Sequence, residues 1–348
     1  YSPNNQMKIL VICGLTASGK TSLALKIAKK IGNTCIISVD SRQAYQGLPI
    51  LTGQDIPPGF IRHQDNSYRY QNLPSIYFSK DSSSDTVLDS GRDCSDVESE
   101  QGSINIWGVD QISPTETLNI SDFTNFAWQV IKKETLAKKN IIIVGGTGLY
   151  LKALTQPMLD IHTGFNQKLR NNLSKLSVKD LQKNLQNLNV KKFKSMNQSD
   201  RSNPRRLIRA IEILLNPVSK KPTYLKLQKN THFRWIGLKS DMATLEKNIH
   251  TRVLTRLNNK VINEVKALRS LKLNQKSPIY SALGLAHILK YINKETDKDE
   301  LIKAWTQADL KYAKRQLTWY KKQFQIIWYD LDSNQKKLIN TLSSWLIK

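Results

Sequence analysis

Three short apolar runs, each closed by a turn signal, frame the first half of the chain. KILVICG (8–14) ends in glycine, TCIISVD (34–40) carries a carboxylate at its tip, and IIIVGG (141–146) is again stopped by glycines. Runs of this length without polar alternation predict strands buried on both faces. Between the first two, residues 21–31 place Leu23, Leu25, Ile27, Ala28 and Ile31 at apolar positions and predict a helix packed on one face. Strand, helix, strand in this order predicts a parallel sheet with right-handed crossovers.

The pattern changes after Pro157. NQKLRNNLSKL, VKDLQKNLQNL and NPRRLIRAIEILL are polar and helical in period, predicting a helical lobe over 157–230. HFRWIGL (232–238) and QIIWYDL (325–331) regain strand character and return the chain to the sheet. Long amphipathic helices lie between them, DMATLEKNIHTRVLTRLNNKVINEVKAL and AWTQADLKYAKRQLTWYKKQF. The division expected is a leader (1–7), a core (8–156), the lobe (157–230) and a return to the core with C-terminal helices (231–348). Residues 79–103, rich in Ser and Asp with no apolar period, read as an exposed or disordered insertion. No internal repeat is evident.

Composition narrows the class. In 348 residues, 39% are hydrophobic and 23% charged, which excludes wholesale disorder. No run of about 18 apolar residues is present, so no membrane span is expected. Cys13, Cys35 and Cys94 show no C-x-x-C spacing, and no two of the five histidines have metal-ligand spacing. A soluble protein of a reducing compartment, the cytoplasm, is the expectation. Charge adds a partner class: 53 Lys and Arg face 28 Asp and Glu, a net +25. Between Lys191 and Lys348 lie 33 basic and 12 acidic residues, a net +21. Such a field suits a polyanion, nucleic acid above all, although a merely solvated lysine-rich surface has the same composition.

Gly14-Leu15-Thr16-Ala17-Ser18-Gly19-Lys20-Thr21 fits G-x-x-x-x-G-K-[ST] between a strand and a helix. There, backbone N–H groups and the helix N-terminus surround phosphate oxygens, Lys20 adds a full charge, and the Thr21 hydroxyl can ligate Mg²⁺. Asp40, at the end of the second strand, lies at the sheet edge where ligands bind. It could hold magnesium, act as a general base, or cap a following helix. Three glycines in Val144-Gly145-Gly146-Thr147-Gly148 permit close approach of something flat or phosphorylated, and the Walker-type acidic residue of an ATPase is missing there. The aromatics Trp319, Tyr320, Phe324, Trp328 and Tyr329 sit in an amphipathic helix leading into a strand, so core packing is expected over base stacking.

GLTASGKT, VDSRQAY (39–45), VGGTGLYLKAL (144–154), NPRRLIRAIEI (203–213), SALGL (281–285) and YAKRQLTW (312–319) occur in one fixed order. Together they resemble the tRNA dimethylallyltransferases, over roughly residues 8–56 and 104–330. The resemblance implies a P-loop NTPase-like α/β fold whose P-loop holds the diphosphate of dimethylallyl diphosphate. The prenyl unit would go to N6 of adenosine 37, flipped from the anticodon loop. It implies catalytic roles for Asp40 as the acceptor of the N6 proton and for Lys20 and Arg252 beside the leaving group, with Mg²⁺ on Thr21. It aligns Asp40, Ser41, Arg42, Gln43, Thr147, Arg170, Arg205, Arg206, Leu207, Ile208 and Arg209 with tRNA contacts, and implies a monomer. Arg205, Arg206 and Arg209 also make independent sense, since their spacing puts at least two guanidiniums on one helix face.

Two departures stand out. Where the family has a proline in the P-loop, this chain has Leu15. Where most bacterial members run methionine-aspartate-isoleucine-glycine-threonine-alanine-lysine, it has Leu48-Pro49-Ile50-Leu51-Thr52-Gly53-Gln54, losing the lysine. Competing readings are a P-loop kinase of a small metabolite, a prenyltransferase acting on free adenine nucleotide, and an RNA-binding protein with a relict P-loop. The kinase leaves the basic C-terminal half unexplained, and intact Lys20, Thr21 and Asp40 speak against the relict.

Overall fold

The computed structural model describes residues 6–70, 103–218, 221–274, 277–323, 325–330 and 335–347. Most of the leader and, except for Ser103, the insertion expected at 79–103 lie outside them, as do Cys94 and Phe324. Eight strands form one sheet: β1 (Met7–Gly14), β2 (Thr34–Ser38), β3 (Ile61–Arg62), β4 (Tyr68–Tyr70), β5 (Ile104–Trp107), β6 (Asn140–Gly145), β7 (Thr231–Lys239) and β8 (Ile326–Asp330). Their order is β3-β4-β5-β2-β6-β1-β7-β8. Every pair from β5 to β8 is parallel, while β3 and β4 add an antiparallel edge.

This is the α/β, P-loop NTPase-like class expected, with helices on both faces. Ile9, Val11 and Cys13 of β1 pack toward the helix Ile120–Leu136 and Tyr320, whereas Leu10 and Ile12 pack toward the helices Lys20–Ile31 and Gln335–Ile347. Burial on both sides is why these strands read as unbroken apolar runs. Each fully buried aliphatic side chain here contributes about 1.5–3 kcal/mol. The sequence order does not reveal that β6 inserts between β1 and β2, where Ile141 pairs with both Ile9 and Cys35. That placement brings Gly14, Asp40 and Gly145–Thr147 to one sheet edge. The short strands β3 to β5 escape the apolar pattern because none exceeds four residues.

Two further cores are helical. Residues 167–215 enclose Leu173, Leu181, Leu185, Leu207, Ala210 and Ile211. Their helices start where Asn166, Ser177, Asn189, Asn197 and Asn203 accept a hydrogen bond from a first-turn N–H, with Pro204 at the first helical position after Asn203. The other core gathers Tyr45, Leu48, Leu51, Val253, Val261, Leu285 and Trp305. The single helix read over 241–268 is two, Met242–Asn258 and Val261–Ser270. Lys260, with φ 65°, adopts the left-handed conformation that ends one and starts the other. Among the described aromatics, Tyr320 is fully buried, and Trp319, Trp328 and Tyr329 pack against the sheet cores as expected.

Candidate active site

At the shared C-terminal edge of β1, β2 and β6 lies a cavity of about 870 Å³. Thr16 to Thr21, Asp40 to Gln43, Thr147, Arg252 and Arg256 all line it. Thus the P-loop and the Asp40 turn share one space with the candidate arginine, which lies more than 200 residues further along the chain.

The P-loop leaves β1 at Gly14 and enters the helix Lys20–Ile31 through Gly19, whose φ of 80° is left-handed. The Lys20 ammonium folds back to donate to the Leu15 carbonyl. Burial, together with the facing Arg252 charge, lowers its pKa to about 8. Thr16 is gripped from two sides: its N–H donates to Gln316 Oε1 at 2.8 Å, and its hydroxyl accepts from Arg252 at 2.7 Å. Thr21 lines the cavity beside Lys20.

Asp40 does not cap a helix. The residues after it form turns, and its Oδ1 accepts the Arg42 N–H at 2.8 Å, an Asx-type turn. One oxygen therefore shapes the loop, and no hydrogen bond engages the other among the described residues. Gln43 is occupied internally, linking Ser38 and the Gly53 carbonyl. Tyr312 closes the wall; burial, with the Asp40 charge nearby, pushes its hydroxyl up to about 12, so it stays neutral.

The glycines after β6 do permit close approach, but of the protein's own helix. A Cβ on Gly146 would lie 2.4 Å from Gln316 Nε2, and one on Gly148 2.3 Å from the Trp319 ring. Gln316 Nε2 donates to the Gly146 carbonyl at 2.9 Å. Gln316 thereby ties the end of β6 to the P-loop.

Arg252 NH2 also donates to Asp309 Oδ2 at 2.7 Å, and Asp309 is fully buried. Asp309, Tyr312 and Gln316 were not singled out from sequence. Their spacing of three and four residues marks one face of the helix Lys298–Tyr320, and two of them fall within or beside YAKRQLTW. Arg256 and Asn248, one turn either side of Arg252, were missed as well. Together these three make the polar stripe of a helix whose other face buries Leu245, Ile249 and Val253.

The lobe residues are placed differently. Arg170 forks onto the fully buried Glu212, Nε to Oε1 at 2.9 Å and NH2 to Oε2 at 2.6 Å. Arg209 reaches Glu212 Oε2 at 2.6 Å and also donates to the Asp160 and Thr163 carbonyls. Burial raises the Glu212 pKa, but hydrogen bonds from Arg170, the Asn166 N–H and Arg209 outweigh it and hold the pKa at about 2. Arg206 pairs with Asp200, Arg205 is exposed and forms no ion pair among the described residues, and Ile208 is half-buried. The expected row of outward guanidiniums is thus split, because Glu212 turns Arg209 inward. Leu207 is fully buried in the lobe core, so its side chain packs the lobe and makes no outward contact.

A phosphate-cradling loop between a central parallel strand and its helix, with carboxylate and arginine at the same sheet edge, defines a P-loop α/β protein with a group-transfer type of site. The family comparisons sharpen this. The IPP transferase family model matches residues 95–323, and the isopentenyl transferase model matches residues 7–61. The chain belongs to the IPP transferase family. It is 28% identical to a tRNA dimethylallyltransferase of Clostridioides difficile, covering 94% of this chain and 93% of that one. It is 29% identical to one of Christiangramia forsetii over 97% of both. Among solved structures, the tRNA delta(2)-isopentenylpyrophosphate transferase of Staphylococcus epidermidis superposes with a TM-score of 0.59 at 25% identity, covering 97% of this chain and 98% of that one. A eukaryotic dimethylallyltransferase acting on tRNA shares the fold, with a TM-score of 0.71 at 20% identity over 98% of this chain and 79% of that one.

Proposed function

We propose that this protein transfers the dimethylallyl group from dimethylallyl diphosphate to the N6 amine of adenosine 37 in tRNA, releasing diphosphate. The observation that carries this reading is the single cavity holding both the P-loop and the half-open Asp40 carboxylate. The bond from N6 to the first prenyl carbon forms as the carbon–oxygen bond to diphosphate breaks. An arylamine is a weak nucleophile until its proton has an acceptor, and the Asp40 oxygen not used by Arg42 supplies one. Arg252, anchored by Asp309 and touching Thr16, stands where negative charge grows on the departing diphosphate, with Lys20 and the P-loop amides.

The Thr21 hydroxyl suits a hard cation that takes its remaining ligands from diphosphate and water. Mg²⁺ bound there would neutralise diphosphate charge. For RNA, Asp40, Ser41, Arg42 and Thr147 line the cavity mouth, and Arg205 and Arg206 offer exposed guanidiniums on the lobe. Arg170, Arg209 and Leu207 act indirectly, by holding the lobe together. No helix among the described residues is long and apolar enough to cross a membrane; the cytoplasm is the proposed compartment and a monomer the proposed state.

The test is transfer of labelled dimethylallyl to an anticodon stem-loop with adenosine at position 37, beside the same loop with inosine there. Label on the adenosine loop and none on the inosine loop, which lacks the amine, is expected. Label on free adenylate instead, or phosphoryl transfer from ATP to a metabolite, would overturn the reading.

A further inference from the structure

The helical lobe is joined to the sheet by two crossings. The chain enters it after the helix Gly148–Thr155, through the short 3₁₀ turn Leu159–His162, and leaves it between Leu215 and Tyr224, where the helix Leu225–Lys229 follows. The apolar core of the lobe draws on residues between 169 and 214 alone, so it does not interdigitate with the cores around the sheet. Packing therefore leaves the angle of the lobe to be set by contacts at the crossings.

At their sheet end the crossings are fastened together: Gln228 Nε2 donates to the Ala153 and Leu154 carbonyls, both at 2.9 Å. At the lobe end the entering segment is held as firmly. Arg209 donates to the Asp160 and Thr163 carbonyls, and the Asn166 N–H donates to Glu212 at 2.9 Å.

Between these ends stands one imidazole. His162 Nδ1 hydrogen-bonds with the Ser121 hydroxyl at 2.7 Å, in the first turn of the helix Ile120–Leu136. Its Nε2 hydrogen-bonds with the Tyr224 hydroxyl, also at 2.7 Å. The Tyr224 ring lies flat on Trp128 of that same helix, with centroids 5.6 Å apart and 1° between the planes. Entry, exit and core helix thus meet at His162. Apart from this chain, no hydrogen bond or ion pair among the described residues ties residues 159–216 to the rest of the protein. Burial lowers the His162 pKa and pushes the Tyr224 hydroxyl up to about 12. A neutral imidazole donates from one nitrogen and accepts at the other, which suits a bridge between two hydroxyls.

We infer that His162 is the positioning residue that sets the angle of the lobe over the active-site cavity, by pinning both crossings to the helix Ile120–Leu136. The inference rests on the proposed RNA reading and deepens it. Residues 157–230 carry 16 basic and 4 acidic side chains, Arg205 and Arg206 among them, so the angle of the lobe aims this charge at the RNA. Phosphate contacts made from a preorganised lobe cost less ordering on binding than those from a lobe free to swing. The diphosphate subsite, built on the sheet edge, does not depend on the pin.

The experiment compares full-length wild type, His162→Ala, Tyr224→Phe and His162→Gln. Calorimetry measures binding of an anticodon stem-loop and, separately, of inorganic diphosphate with Mg²⁺; steady-state transfer and thermal unfolding accompany it. His162→Ala is expected to weaken the stem-loop about tenfold and raise its KM alike, with kcat at saturating RNA and diphosphate affinity close to wild type. Tyr224→Phe keeps the ring on Trp128, deletes one hydrogen bond, and should weaken the stem-loop about threefold. His162→Gln, whose amide can still reach Tyr224, should recover part of the loss. Unchanged stem-loop affinity in folded His162→Ala and Tyr224→Phe would overturn the inference. So would a matching loss of diphosphate affinity with a lowered unfolding midpoint, which would make His162 a purely structural residue. If wild type itself does not bind the stem-loop, the RNA reading fails and the inference falls with it; that outcome is distinct because it appears before any substitution.

Discussion

Two places in this molecule hold the same ingredients, a fully buried carboxylate and two arginines, and use them oppositely. In the lobe, Glu212 is saturated: Oε1 takes the Asn166 N–H and Arg170, and Oε2 takes Arg170 and Arg209. In the cavity, Asp309 takes Arg252 on one oxygen only, and Arg256, which forms no ion pair among the described residues, feels Asp309, Asp55 and Asp40 only at range. A closed cluster of this kind holds structure. An open one, with excess positive charge facing a phosphate-cradling loop, waits for an anion. The burial is alike, so what separates a brace from a binding site is whether every donor and acceptor is already matched.

Removing the central cation of the open site should have the largest effect. Lys20→Ala is expected to lower the rate of the chemical step about 100- to 1,000-fold, as loss of one preorganised charge at a developing anion does. Single-turnover kinetics with saturating RNA would measure it, and the unfolding midpoint should barely move. The closed site should answer in reverse. Glu212→Gln leaves two guanidiniums facing a neutral amide and should cost on the order of 3 kcal/mol of stability, discounted because both arginines are about a third exposed. Denaturant unfolding would show it, with diphosphate affinity unchanged.

Acidity and alkalinity should separate the two sites as well. The folded pKa of Glu212, about 2, lies below its ordinary 4.5. Its contribution is therefore present above about 4.5 and is lost as pH falls toward 2. Lys20 runs the other way in effect. Its folded pKa of about 8 means that the unliganded site sheds a positive charge above that pH, so diphosphate affinity should fall from pH 8 upward. A titration of binding by calorimetry checks the second, and unfolding across acid pH the first. The smallest effect expected is that of Arg205→Ala on the exposed lobe surface. Stability should change by less than about 0.5 kcal/mol. Binding of a tRNA stem-loop should nevertheless weaken, with the salt slope reduced by about 1.

Sequence made the open site half legible. The P-loop is local, eight residues whose spacing carries its own geometry, and Asp40 follows at the end of the next apolar run. Arg252 became visible only through resemblance. Asp309, Gln316 and Arg256 stayed hidden because their meaning depends on which helix faces pack at the sheet edge, and no local spacing records that a glycine at position 53 leaves room for a guanidinium from position 256. The lobe shows the opposite difficulty. Counting faces along NPRRLIRAIEI exposes a basic stripe, but Glu212, three residues beyond Arg209, turns that arginine and Arg170 inward. The buried strands β1, β2 and β6 were legible as unbroken apolar runs, and β7 and β8 as segments of strand character. Their order was not, since the insertion of β6 between β1 and β2 is fixed by long-range pairing alone.

The central claim is that Asp40, in the cavity it shares with the P-loop, takes the proton of the attacking amine. Single-turnover transfer of labelled dimethylallyl to the adenosine-37 stem-loop by Asp40→Asn, with diphosphate and stem-loop affinities measured alongside, tests it most directly. The account predicts a chemical step slowed about 100- to 10,000-fold with both affinities close to wild type. Transfer at the wild-type rate would contradict it.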